Sequence, residues 1–234
     1  MTPSELFRRN RNRWDYATWF SLDKGFFYVE TPKVACTKIK LTLQEISGFP
    51  IPRDKQQIHY RREGRFVGSI VGHLDTCDEI LASGMVYSFS FVRNPVDRLV
   101  SAYKDKIVRS RGPFWEKYRM QIRNMLELDA LQDVRFEHFL NWVEETPDNM
   151  RDIHWRSQYN LLKPDIISYD KIGKQENFNS DFLEVMSAIG VRNADVLIDG
   201  RENATHEILD MNFNESIRRR IQSVYAKDFE FFNY

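Results

Sequence analysis

Cysteine is scarce in this chain of 234 residues: only Cys36 and Cys77 occur, at no metal-ligand spacing. That scarcity argues against a disulfide framework and against a zinc site, so no metal is expected. Long apolar runs are missing too. The opening MTPSELFRRNRNRWDYATWF is polar and basic, and no stretch approaches twenty apolar residues. The expectation is a chain without a signal peptide or stable membrane insertion, at home in a reducing cytoplasm. Excess charge of one sign is absent as well, since Lys+Arg and Asp+Glu both number 34. No global field therefore calls for nucleic acid, and any anion site must be built locally. Repeats and low-complexity linkers are also lacking, which leaves residues 1–234 as one expected domain.

What is present is enough for a core. Hydrophobic residues make up 42% and charged residues 29%, the balance of a globular protein. KGFFYVE reads as a buried strand, short and aromatic, and Ile39, Leu43 and Ile46 follow it at helical spacing until Gly48 and Pro50. Residues 51–65 look like an exposed polar excursion, and FVGSIVGHL like a strand ending near His73. Val86–Val92 reads as another strand. After it, Asn94 suits a helix cap, Pro95 the first turn and Asp97 the positive helix end. Val96, Leu99, Val100, Tyr103 and Ile107 then form an apolar stripe. Residues 114–145 look helical, DIISYDKIGK holds a short strand, NSDFLEVMSAIGV a helix, and NESIRRRIQSVYAKDFEFF one closing helix. Strands alternating with helices predict an α/β fold, a central mostly parallel sheet flanked by helices.

Two strand-to-helix junctions carry the chemistry. In TPKVACTKIK a tight turn aims backbone N–H groups and a helix N-terminus at one point, which makes an anion cradle. Lys33 and Lys38 bring positive charge and Thr37 a hydroxyl, while Val34, Ala35 and Cys36 complete the loop. Ala35 and Cys36 are small enough for a phosphate to approach the backbone. The turn is not a nucleoside-triphosphate P-loop: it has no loop glycines, and its first lysine precedes the turn. At the second junction, Arg93 can grip a phosphate in a fork and Ser101 can add a hydroxyl. Two such junctions predict one ligand with two separated phosphate groups.

These residues resemble the Golgi carbohydrate sulfotransferases. TPKVACTKIK looks like their 5′-phosphosulfate loop, PKVACTNWK or PKVGCTNWK, and FVRNPVDRLVSAYKDK is similar to their 3′-phosphate segment, FVRDPFxRLxSAYxxK. The likeness continues through DIHWRSQ, ISYDKIGKQENFNSDF and VYAKDFEFFNY in matching order. It implies a P-loop-like sulfotransferase fold and 3′-phosphoadenosine 5′-phosphosulfate (PAPS) as sulfuryl donor, with transfer to a hydroxyl of a carbohydrate or glycoconjugate. Matched by position, Lys33, Thr37 and Lys38 would face the 5′-phosphosulfate, and Arg93 and Ser101 the 3′-phosphate. Lys38 and Ile39 depart from the usual Asn-Trp, and Asn94 from the usual Asp or His. The family's L-C-x-P-C reads LLKPD here, which fits a bacterial, cytoplasmic member folding without disulfides.

Sulfuryl transfer asks for in-line geometry, stabilisation of the leaving phosphate and a base for the acceptor hydroxyl. Lys33 suits the leaving group. For the base, His73 in GHL resembles the H-G-H-V of related 2-O-sulfotransferases, and His154 lies in DIHW; an acidic base stays open. His59 sits in the charged excursion; Arg61, Arg62 and Arg65 nearby could attract an acidic sugar, but an arginine-rich loop is usually just solvated. Two rivals remain: a nucleotide kinase using ATP and magnesium, and a PAPS-binding module without catalysis.

Overall fold

The structure, a computed structural model, describes residues 1–60, 63–192 and 214–234. They fall into two compact units: a sheet unit, residues 1–92 and 162–192, and a helical unit, residues 93–161 and 214–234.

In the sheet unit, α1 (Pro3–Arg9) and α2 (Arg11–Ala17) lead into β1 (Thr18–Ser21). A short turn closed by Gly25, at φ 65°, returns the chain as β2 (Phe26–Val29). There follow α3 (Cys36–Ile46), α4 (Cys77–Ala82), β3 (Tyr87–Val92) and β4 (Lys171–Lys174). The strand order is β1-β2-β3-β4, with β1 antiparallel to β2 and the other two pairings parallel. The expected sheet flanked by helices is therefore present, and β1 is an addition to it. TWFS is too short to show a period.

Alternation along the strands sorts the two faces. Phe26, Tyr28, Phe89 and Phe91 meet Ile39 and Leu43 of α3 and Phe182, Val185 and Met186 of the Phe178–Ala188 helix in one core. Phe27 points the other way, towards Phe7, which in turn packs on Trp14. Gly173 of β4 pairs with Phe91, and a Cβ there would lie 2.4 Å from the Phe91 ring, so only glycine fits.

Parallel pairing of β2 and β3 sends the chain off the same edge of the sheet after both strands. The first exit is the turn before α3. The second is Arg93, the residue after β3.

The helical unit begins with α5 (Pro95–Ala102), a π-helical stretch Tyr103–Arg109, α6 (Pro113–Met125) and α7 (Phe136–Glu145). Leu99, Val100, Tyr103 and Ile107 are buried as the stripe predicts, in a core with Phe139, Leu140, Trp155, Ile217 and Ile221. Asn94 caps α5, its Oδ1 accepting from the Val96 N–H at 3.0 Å.

Three expectations need correction. FVGSIVGHL forms no strand: Val67 and Ser69 are buried and Phe66 and Gly68 exposed, the alternation of a strand, but Ile70–His73 is a 3-10 turn in which Ile70 and Val71 are both buried. The span 114–145 is two helices, α6 and α7, interrupted where Glu127 takes a left-handed conformation, φ 52°. The closing helix is also two, Glu215–Val224 and Ala226–Phe232, broken at Tyr225. That tyrosine is buried and donates its hydroxyl to the Trp155 carbonyl at 2.6 Å.

The excursion 51–65 is likewise less exposed than its polarity suggests. Ile58 is in the core, and Arg65 is buried, donating to the carbonyls of Asp15, Tyr16, Thr18, Val67 and Gly68. Its five N–H groups tie the end of α2 and the start of β1 to the stretch Val67–Gly68, which is a structural task. Arg61 and Arg62 lie outside the described residues.

Candidate functional site

The turn between β2 and α3 holds its backbone in an uncommon shape. Lys33 and Ala35 both adopt positive φ, 72° and 61°, although neither is glycine. Such residues carry strain that the surroundings must impose, and alternate left-handed residues turn successive N–H groups to one side, the geometry of an anion nest. Ala35 is also the N-cap of α3, and it offers no side-chain cap. The first-turn N–H groups and the positive end of an eleven-residue helix therefore face the same region. At the head of the turn Thr31 is fully buried, its hydroxyl without a partner among the described residues. Val34 anchors the loop in the core.

The charged side chains of the loop divide their tasks. Lys33 and Lys38 are half-buried, and the Lys38 ammonium stands 5.9 Å from the Phe178 ring centroid. The Cys36 thiol is pushed up by burial and by the Glu30 charge, against the opposing pull of Lys40 and Lys33.

Beneath the loop lies a cluster that the sequence does not announce. Lys40 and Glu30 form an ion pair with side chains 1% and 3% exposed. The Lys40 ammonium lies 5.5 Å from the Tyr16 ring and 5.7 Å from the Trp19 ring. The Glu30 charge, with burial, raises the Tyr16 phenol far above its ordinary range. His59 joins this pair to the loop. Its Nδ1 lies 2.7 Å from Lys40 Nζ, and its Nε2 lies 3.1 Å from Thr37 Oγ1. Tetrads of this kind come from residues 30, 37, 40 and 59. Only Thr37 and Lys40, one turn apart on α3, show that relation in the sequence.

At the second junction, Gln158 clamps the backbone of Arg93. Its Oε1 accepts from Arg93 N at 2.9 Å, and its Nε2 donates to Arg93 O at 2.8 Å. Asp228 in turn accepts from the N–H groups of Gln158 and Tyr159, each at 2.8 Å. Burial raises the Asp228 carboxyl above its usual range, with those N–H groups opposing the rise. Arg93 and Ser101 are themselves nearly buried. The matching segments DIHWRSQ and VYAKDFEFFNY thus supply the two residues that fix Arg93.

The histidines stand in different surroundings. His73 is exposed at the end of its 3-10 turn, its ring 4.8 Å from that of Phe20 on β1. Among the described residues, the histidine bonded to the loop is His59. His154, in the helical unit, has Nδ1 2.6 Å from Asp152 Oδ1. Asp152 also accepts from the Tyr118 hydroxyl at 3.4 Å. Burial alone would raise Asp152, but its bonds to His154 and the His154 charge bring it below the ordinary carboxylate range. The carboxylate on Nδ1 fixes the orientation of the imidazole. The Trp115 ring stands edge-on to His154 at 5.5 Å, and next to Trp115 is the exposed Phe114 at 4.8 Å.

Among the described residues no cluster of three or more His, Cys, Asp or Glu side chains could hold a metal ion, and no helix is long and apolar enough to cross a membrane.

The chain is similar in sequence to several known proteins. Carbohydrate sulfotransferase 11 of Mus musculus is 28% identical over 91% of this chain and 65% of its own length. Carbohydrate sulfotransferase 14 of Danio rerio is 31% identical over 70% of this chain and 46% of its own. Carbohydrate sulfotransferase 8 of Mus musculus is 30% identical over 70% and 42%. The matches thus span between 42% and 65% of these relatives. No solved structure matches the chain at a significant level. The model of the sulfotransferase family matches residues 16–234, both junctions included, and the chain belongs to that family.

Proposed function

We propose that this chain is a carbohydrate sulfotransferase, moving the sulfuryl group of PAPS in line to a hydroxyl of a carbohydrate or glycoconjugate. The observation that carries the reading is the strained, uncapped turn of Lys33 and Ala35 at the start of α3. Left-handed backbone in two non-glycine residues is costly, and an anion received by the N–H groups explains why it is kept. In this reading Lys33, Val34, Ala35, Cys36, Thr37 and Lys38 receive the 5′-phosphosulfate. Arg93 and Ser101 take the 3′-phosphate, as their match to the family's segment assigns.

The chemistry needs little covalent work from the protein. An acceptor oxygen forms a bond to sulfur while the bond from sulfur to the bridging phosphate oxygen breaks. The departing 5′-phosphate gains negative charge, which Lys33 neutralises. The acceptor proton goes to a base. Of the two histidines expected for that task, His154 has the better-suited surroundings, because Asp152 holds and orients its ring through Nδ1. His73 has a ring contact with Phe20 and is the weaker candidate. Phe114, exposed beside Trp115, would offer an apolar face to a sugar ring.

The test combines binding and turnover. Adenosine 3′,5′-bisphosphate should raise the melting temperature, since a ligand that binds only the native state stabilises it. Incubation with PAPS and a panel of glycans should give a product heavier by one sulfuryl group in mass spectrometry. His154→Ala should abolish turnover while leaving the thermal shift in place. No shift with the bisphosphate, or a larger one with ATP and magnesium, would overturn the reading in favour of a kinase. A shift without transfer to any acceptor would leave only a PAPS-binding module.

A further inference from the structure

We infer that His59 is a positioning residue that turns the Thr37 hydroxyl into a dedicated hydrogen-bond donor towards the bound anion. The inference rests on the sulfotransferase reading of the loop. It starts from the polarity of four groups in a row. Glu30 is paired with the Lys40 ammonium, and both are sealed from solvent. Lys40 Nζ has only N–H to offer, and it lies 2.7 Å from His59 Nδ1. Nδ1 must therefore present its lone pair. The ring proton is then confined to Nε2, which lies 3.1 Å from Thr37 Oγ1 and donates to it. Glu30 Oε1, at 3.8 Å from Nδ1, is too far to claim a proton there.

The consequence falls on Thr37. A hydroxyl that accepts from His59 keeps its own proton for another partner, and Thr37 sits in the first turn of α3. There its O–H joins the backbone N–H groups in serving negative charge. Without the Nε2–H the hydroxyl could rotate and present its lone pairs to the anion, which would repel it. A chain of aligned donors also strengthens each bond along it. Glu30, Lys40 and His59 thus fix the direction of one proton, and the ligand they would favour is the 5′-phosphate or phosphosulfate of the donor nucleotide.

Nitrogen-15 NMR of the unmutated chain tests the first step without any ligand. The His59 imidazole should show the Nε2–H tautomer, and an Nδ1–H tautomer would overturn the inference. Calorimetry with adenosine 3′,5′-bisphosphate tests the second. Thr37→Val should weaken binding about 10-fold or more, the scale of a lost hydrogen bond to a charged group. His59→Leu should weaken it too, and the double variant should bind no worse than Thr37→Val alone. His59→Gln, whose amide N–H reaches the same place, should recover most of the loss. Additive effects, a His59→Leu chain that binds normally, or a His59→Gln as poor as His59→Leu would each overturn it. If the unmutated, folded chain binds no bisphosphate, the sulfotransferase reading itself fails, a result distinct from all of these.

Discussion

The two strand-to-helix junctions solve one problem in opposite ways. Before α3 the chain is strained, with Lys33 and Ala35 at positive φ, and no side chain caps the helix. Before α5 the backbone is ordinary, and Asn94 already takes up the Val96 N–H. The supports differ in the same sense. Under the first junction lies a buried ion pair, Glu30 with Lys40, extended by His59. Behind the second lies the amide of Gln158, held in turn by Asp228. An uncapped helix can offer its backbone to a ligand, whereas a capped one must rely on side chains, in the proposed reading Arg93 and Ser101. The first junction is therefore the one in which backbone shape matters most.

If that contrast is right, the largest effect should come from Lys40→Met. It leaves the Glu30 carboxylate buried without its counter-charge, and losses of about 3–5 kcal/mol are typical of that change. Urea denaturation would measure it, and Glu30→Gln in the same chain should restore much of the stability. A loss within error for Lys40→Met would mean that the strained turn needs no ionic support. Next comes Lys33→Ala, expected to lower turnover with PAPS by about 10²–10³-fold, the scale of removing one preorganised charge-stabilising group. The fold should tolerate it, because Lys33 is half-buried at a surface turn. Asp228→Asn probes the other junction. An amide can accept from only one of the Gln158 and Tyr159 N–H groups and sets its own N–H against the second, a loss of about 1–3 kcal/mol. Arg93 would then lose its clamp, so bisphosphate affinity should fall along with stability.

The sequence makes the first junction's loop readable and its support invisible. Lys33 to Lys38 are consecutive, and a strand with an apolar helical pattern brackets them, so the turn follows from local rules. Glu30, Lys40 and His59 become partners only when residues 51–60 fold back over α3. The polarity of that stretch reads as solvent exposure, whereas a charged side chain opposite a buried partner is polar too. Gln158 and Asp228 are seventy residues apart in the same way. Each lies in a stretch that matches the family, yet a match of that kind marks a segment without telling what its residues hold. The FVGSIVGHL stretch failed for another reason. Its burial alternates from Phe66 to Ser69 as in a strand, yet the stretch pairs with no strand of the sheet and turns at Ile70–His73, which periodicity alone does not foretell.

The smallest effect, and the sharpest test of strain, should come from Ala35→Gly. Ala35 sits at φ 61° and ψ 24°, where a Cβ costs about 1–2 kcal/mol. Glycine removes that cost but loses about 0.4–1 kcal/mol through the greater freedom of the unfolded chain. The first equals or exceeds the second, so the variant should be neutral or gain up to about 1.6 kcal/mol, with bisphosphate affinity unchanged. The related form PKVGCTNWK, with glycine at this place, agrees with that balance. The Asn94→Ala change at the other junction should instead lose about 1 kcal/mol, because there a cap disappears and no strain is released. Measured side by side in urea, the two substitutions should move the midpoint differently, one not at all or upward and the other downward. Equal losses at both would mean that Ala35 is unstrained, and the α3 turn would then need no anion to explain its shape.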